Sequence, residues 1–280
     1  MVETKAWPCA MLLLALASWI APRAFAHGDV HDIIAALTQQ ISEKPSAELL
    51  LRRGQMYRVH GDMVGAGADF DAAEKLDPGL AEVDLARGEM LSEMRRNDEA
   101  KAALDRFLKK QPQHPGGYVA RARVHSHEGA HLAAAEDFAT ATMLVPDADP
   151  SLFLEHARSL QQAGRVEDAI RVLDNAVTRR GMLVVLMQGA LEIEEAAGMR
   201  EQALSRLDKL IGASPRKERW LARKGALLET AGRKAEARAC FLEAQTALES
   251  VPGPRRNSTA MLELAKKIDG ALQRLPAGGP

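Results

Sequence analysis

The sequence has few of the residues on which covalently cross-linked folds and nucleic-acid surfaces depend. It has two cysteines among 280 residues, and only Cys240 lies beyond the first 26 residues, so no internal disulfide is available to the rest of the chain. Aromatic residues make up 4%, and 37 lysines and arginines meet 38 aspartates and glutamates, for a net charge of −1. This balance excludes a strongly basic surface of the kind that attracts nucleic acid.

Long apolar runs are also missing, apart from one near the amino terminus. There Lys5 precedes an apolar run from Cys9 to Ala21, which ends at Pro22 and the triplet Ala24-Phe25-Ala26. The run is too short for a transmembrane helix, which needs about 20 apolar residues. We therefore expect residues 1–26 to be a secretory signal peptide, and the mature chain to be periplasmic or secreted. Removing Lys5, Arg23 and Glu3 would change the net charge from −1 to −2.

What the chain does have is a helical composition and a repeat. Apolar residues make up 46% and charged residues 27%, and alanine, leucine, glutamate and arginine favour helices over strands. Helix-breaking residues recur at intervals of 34, 34, 35 and 34 residues, at Pro78, Pro112, Pro146, Gly181 and Pro215. A period in this range predicts stacked helix pairs.

Three kinds of position keep the same frame in all six periods. A small residue that would let helices cross closely stands at Ala66, Ala100, Ala134, Ala169, Ala203 and Ala237. Four residues later, on the same helical face, comes a bulky residue: Phe70, Leu104, Phe138, Leu173, Leu207 or Phe241. A turn between the two helices is predicted at Gly61, Arg95, Gly129, Gly164, Gly198 and Gly232.

This pattern resembles that of tetratricopeptide repeat proteins, exported bacterial type. The family's order of apolar, small and aromatic residues is matched best by Leu50, Gly54, Tyr57, Ala66, Phe70, Ala73 and Pro78. The resemblance implies an all-α, right-handed superhelix, or solenoid, of about six antiparallel helix pairs. The fifth repeat departs from the pattern. It has Leu191 at the position that is normally a small residue and Glu194 where an aromatic residue or leucine is usual, so we expect looser packing or a bend there.

The frame divides the chain after the signal peptide into three parts. An N-terminal helix is predicted in 27–46 and a C-terminal capping helix with a tail in 253–280. Between them, 47–252 forms six repeats: 47–80, 81–114, 115–149, 150–183, 184–217 and 218–252. Of the eight aromatic residues beyond residue 26, all but Trp220 fall in apolar slots of the repeat. A surface that stacks bases or sugars needs several spare rings, so this function is not expected.

A search for reactive chemistry predicts no enzyme and no cofactor, since no nucleophile motif or phosphate-binding loop is present. His125, His127 and His131 have ligand-like spacing, but the turn at Gly129 separates them, and we expect packing or surface roles and no metal site. Cys240 is interpreted as a packing residue. The alternative is a metal-handling protein, in which the mature terminus would bind copper or zinc through His27 and His31.

The resemblance also implies where a partner binds, because the first helices of such repeats line a concave groove that holds peptides or folded domains. The partner-binding positions carried over by frame are Arg52, Gln55, Arg58, Glu89, Glu93, Arg123, Ser126, Arg158, Gln161 and Glu192. The alternative for the arginines is that they bridge neighbouring helices. We expect a non-catalytic scaffold for another protein or peptide in the bacterial envelope, with no nucleic acid and no membrane-spanning segment. A further alternative is a structural element of an envelope assembly.

The arginines Arg53, Arg87 and Arg121 are spaced by 34 residues and replace an ordinarily apolar slot. We interpret them as packing between repeats.

Overall fold

The computed structural model describes residues 30–181 and 183–275, in which all regular structure is helical. The predicted signal peptide and His27 lie outside these residues. The helices are α1 (Val30–Glu43), α2 (Ala47–His60), α3 (Met63–Leu76), α4 (Glu82–Glu93), α5 (Asn97–Lys110), α6 (Pro115–His127), α7 (His131–Leu144), α8 (Pro150–Gln162), α9 (Val166–Arg180), α10 (Val184–Ala196), α11 (Arg200–Ala213), α12 (Glu218–Thr230), α13 (Lys234–Glu249), α14 (Gly253–Arg256) and α15 (Thr259–Arg274).

The chain divides into two compact units, Met1–Ala72 and Ala73–Pro280, with the boundary inside α3. In the first unit, α1 packs on α2, and α2 crosses the start of α3 at Gly54. A Cβ atom on Gly54 would lie 2.6 Å from the Phe70 ring, so only glycine allows this approach. Ser46 caps α2 by accepting a hydrogen bond from the Leu49 amide at 3.2 Å.

In the second unit, each helix from α4 to α12 packs on the next, and α13 packs on α15. Alternate helices also touch, α4 on α6, α8 on α10 and α12 on α15, so the first helices of some neighbouring pairs contact each other directly. The six alanines of the crossing slot are fully buried, and the bulky residues four positions later are buried as well. The predicted all-α class of antiparallel helix pairs is therefore confirmed.

The first helices end at the predicted turn positions. Gly61, Gly129, Gly164, Gly198 and Gly232 all have φ between 71° and 88°, the left-handed backbone that ends a helix. Arg95 takes the same role with φ 59°, and it is the one non-glycine residue with positive φ in the described chain. Gly181 has φ 83° and ψ 176°, a region essentially restricted to glycine, so proline cannot stand there as it does in other repeats.

The fifth repeat is well packed around Leu191, where the sequence departs from the pattern. Leu191 is fully buried in a cluster with Met187, Leu207 and Trp220. In α15, Ile268 and Ala271 are buried as the capping role requires, whereas Leu262 is 48% exposed. Within the described residues, no helix is both long and apolar enough to span a bilayer.

Candidate functional site

Two neighbouring clefts of the second unit bring five of the predicted groove residues together. The α6/α8 cleft, of about 340 Å³, is lined by Arg123, Ser126 and Arg158, and the Phe138 ring of α7 forms part of its wall. The α8/α10 cleft, of about 110 Å³, is lined by Arg158, Gln161 and Glu192. Arg158 thus faces both clefts.

The remaining predicted positions lie elsewhere. Glu89 and Glu93 are on α4 and are not among the residues that line these two clefts. Arg52, Gln55 and Arg58 are on α2, in the first unit.

Arg123 is a bridge between helices. Its Nε and Nη2 atoms donate to both carboxylate oxygens of Glu155 on α8, at 2.9 and 2.8 Å. The Glu155 carboxylate raises the pKa of Arg123, and Glu89 adds a weaker attraction. Arg158 has no ion-pair partner in the described part of the chain and is exposed. Of these two arginines, the structure therefore leaves Arg158 as the charge that can pair with a partner.

The arginines Arg53, Arg87 and Arg121, which we call the arginine ladder, have the packing role expected of them. Arg87 of α4 donates a hydrogen bond to the Glu74 carboxylate of α3 at 2.7 Å. Arg121 donates to Asp105 on the preceding second helix at 2.6 Å and to Asp137 of its own repeat. Arg53 donates to Asp69 and to Thr38 of α1. These bonds join successive helix pairs.

Glu194 has a partner that sequence reasoning missed. Glu194 is buried, and it accepts two hydrogen bonds from Arg206 of α11, at 2.9 and 2.7 Å, while Arg206 also reaches Asp174 of α9. Burial lowers the pKa of Arg206, but the hydrogen bonds that Arg206 donates to the Glu194 and Asp174 carboxylates outweigh burial and raise the pKa above its ordinary value. The fifth repeat has Ala190 at the position that an arginine of the ladder occupies in the first three repeats. The missing arginine was the available signal that the cation comes from the second helix instead.

The histidines are separated as the frame predicts. The first helix ends at His127 and the next begins at His131, on either side of Gly129. The Nε2 atom of His125 lies 3.8 Å from Oδ2 of Asp137, and its Nδ1 atom lies 3.9 Å from Oε2 of Glu128. Across the described residues, no three histidine, cysteine, aspartate or glutamate side chains are placed to hold a metal ion. The His31 ring packs edge to face on His60, with centroids 4.3 Å apart.

Cys240 is buried in the core that joins α12, α13 and α15, which confirms its packing role. Burial raises the pKa of its thiol, so the reactive thiolate is disfavoured. This burial argues against a nucleophilic role for the thiol.

Comparison with known proteins agrees with this architecture. The tetratricopeptide repeat family matches residues 20–81 and 85–151. No curated protein sequence matches the chain. Among solved structures, a tetratricopeptide repeat protein from Parabacteroides merdae ATCC 43184 is similar, with a TM-score of 0.52, 17% identity, and coverage of 86% of this chain and 93% of that one.

Two further structures share the fold. The C-terminal part of a TPR repeat-containing protein from Cytophaga hutchinsonii has a TM-score of 0.63 and 13% identity over 84% of this chain and 94% of that one. A chain of the APC/C hetero-tetramer Cut9-Hcn1 has a TM-score of 0.50 and 15% identity over 86% of this chain and 46% of that one. At these identities the likeness concerns the fold alone.

Proposed function

Since the chain carries tetratricopeptide repeats, we propose that it is a non-catalytic scaffold that binds a protein or peptide along the first-helix face of its repeats. Proteins of this family are generally interaction scaffolds. The Cut9-Hcn1 structure, whose fold is similar, is an assembly of two kinds of chain. The observation that carries the proposal is the placement of Arg158, exposed and without an ion pair among the described residues, between two clefts.

The partner surface that fits these clefts is an acidic or mixed-polarity segment. The α6/α8 cleft is lined mainly by polar side chains, with Phe138 as the apolar one. The α8/α10 cleft combines Arg158, Gln161 and Glu192 with an apolar part formed by Leu154, Ala157, Leu173 and Ile193, so the interface would depend on hydrogen bonds and charge as well as apolar contact. A specific interface of this kind buries about 1,200–2,000 Å² in total.

A photo-crosslinking residue at Gln161 tests the location. Gln161 lines the α8/α10 cleft, whereas Lys109 is exposed on the second helix α5 and serves as the control position. We expect a discrete crosslinked partner in native envelopes from the Gln161 position and none from Lys109. Equal crosslinking from both positions would mean that the groove assignment is wrong.

Charge reversal at Arg158 is the matching test of affinity. Because Arg158 is exposed and has no ion pair in the described chain, Arg158→Glu should weaken partner binding about tenfold and leave the helical signal in circular dichroism unchanged. Lys109→Glu is the matched control. Arg123 is unsuitable, since Arg123→Glu would place a carboxylate beside Glu155 and disturb the fold. Binding that survives Arg158→Glu but fails on deletion of α15 would favour a structural element of an assembly instead.

Export belongs to the same proposal and is supported by the sequence of residues 1–26 alone. Mass determination of the chain purified from its native cell tests it. We expect a mass that corresponds to a first residue of His27, and a retained leader would overturn export by cleavage.

A further inference from the structure

A third cleft of the second unit lies between α12 and α15. Its volume is about 440 Å³, within the range of small-ligand sites, and it is lined by one face of each helix. Arg223 and Ala226 of α12 follow Arg52 and Gln55 by 171 residues, so they occupy the groove face of the sixth repeat. The sequence-based groove assignment ended in the fifth repeat and did not include them.

Positive charge surrounds this α12/α15 cleft. Arg219, Arg223, Lys266, Lys267 and Arg274 line it, and Glu229 is the one acidic residue among the lining residues. Three of the cations are paired, Arg223 with Glu195 at 2.6 Å, Arg274 with Glu229 at 3.0 Å and Lys266 with Glu263 at 3.1 Å. Arg219 and Lys267 are exposed and have no ion pair within the described residues. An excess of positive charge is left at the rim.

The floor of the cleft is apolar. Leu264 and Ala271 of α15, Ala222 of α12 and Phe241 of α13 contribute it. Phe241 comes close because Gly225 has no side chain, and a Cβ atom there would lie 3.0 Å from the ring. The Arg219 guanidinium is held at the rim, 4.6 Å from the centroid of the Trp220 ring.

We propose that the α12/α15 cleft binds a peptide segment in which carboxylates flank an apolar side chain. The apolar side chain would cover Leu264 and Phe241, and the carboxylates would pair with Arg219 and Lys267. The inference rests on the proposed scaffold function and adds a second anchoring point with a stated partner chemistry.

A synthetic peptide tests this inference on the full chain. The probe is a fluorescein-labelled hexapeptide Glu-Leu-Glu-Glu-Leu-Glu, titrated by fluorescence anisotropy. We expect saturable binding that weakens as sodium chloride rises, since exposed charges are screened. The double variant Arg219→Glu/Lys267→Glu should weaken binding about tenfold. Replacing both leucines of the peptide by serine should also weaken it, because the floor is apolar.

Controls separate this inference from the scaffold proposal. Lys109→Glu reverses an exposed charge outside all three clefts and should leave peptide affinity unchanged, and thermal unfolding should show that all variants fold. No binding to the wild-type chain, equal binding of the serine peptide, or equal weakening by Lys109→Glu overturns the inference. If the chain self-associates in sedimentation and Lys267→Glu abolishes this, the occupant is a second copy and the inference is likewise wrong. The crosslinking from Gln161 judges the scaffold proposal independently.

Discussion

Arg95 performs the turn that glycine performs in the other five repeats. Its φ of 59° places a side chain in the left-handed region, where Cβ crowds the backbone. The side chain is exposed, so little packing is lost when it is removed. The residue therefore carries local strain that its glycine counterparts avoid.

We predict that Arg95→Gly raises the free energy of unfolding by about 0.5–1 kcal/mol, measured by urea denaturation. The matched control is Gly129→Ala, at the same frame position with φ 75°. A Cβ atom there would meet nothing within 4 Å, so only backbone strain opposes it, and we expect a loss of about 1 kcal/mol. A stabilising Gly129→Ala or a neutral Arg95→Gly would contradict this account of the turn.

His156 occupies the slot that the ladder arginines fill in the first three repeats. Ala139 and Val172 occupy the positions that correspond to Asp105 and Asp137, the partners of Arg121, so the frame offers this histidine no carboxylate at those two positions. It is 7% exposed, and its Nδ1 atom is buried with no hydrogen-bond partner among the described residues. Burial lowers the pKa of His156 from 6.5 to about 4.

This burial predicts acid sensitivity. Between pH 6.5 and pH 4 the unfolded chain binds a proton that the folded chain excludes, so stability falls as the pH falls through this window. From pH 7 to pH 5 the loss should be about 2 kcal/mol. His156→Gln cannot titrate, and its free energy of unfolding should fall less over the same interval by that amount. Identical pH profiles for the variant and the wild type would refute the assignment.

At the scale of helices, the α10–α11 pair depends on a buried charge pair. Arg206→Leu would leave Glu194, which is 2% exposed, without its partner in the core. We predict a loss of about 3–5 kcal/mol in the free energy of unfolding for this single change. The double variant Arg206→Leu/Glu194→Leu should recover most of that loss, because no uncompensated charge remains. Chemical denaturation of the three proteins measures the coupling, and additive losses would contradict it.

Sequence periodicity was sufficient for the elements themselves. The positions of Gly61 and its counterparts, the buried Phe70 and the close crossing at Gly54 all follow from local backbone and steric rules. The packing of the fifth repeat was predicted less well. The isolated glutamate suggested loose packing, and its compensation by Arg206, twelve residues later, depends on how two helices face each other.

At the scale of the whole molecule, nearest-neighbour packing accounts for the stability of the second unit and leaves exposed the helix faces on which the binding proposal rests. In the second unit each pair covers the apolar face of its neighbour, and α15 covers the last one, so one helix face of each pair stays available to a partner. The charged residues of the first helices fall into two groups. Arginines such as Arg123 and Arg223, which form ion pairs between neighbouring first helices, stabilise the stack, and arginines without an ion pair define candidate binding surfaces.

The sequence by itself determined the helix pairs, their turns and their order, because these depend on residues at fixed spacing within one repeat. Only the tertiary structure decided which charged groove residues are already paired, and that a basic cleft with an apolar floor lies between α12 and α15. Those properties arise between repeats, where the spacing of two side chains in the sequence does not set their distance in space.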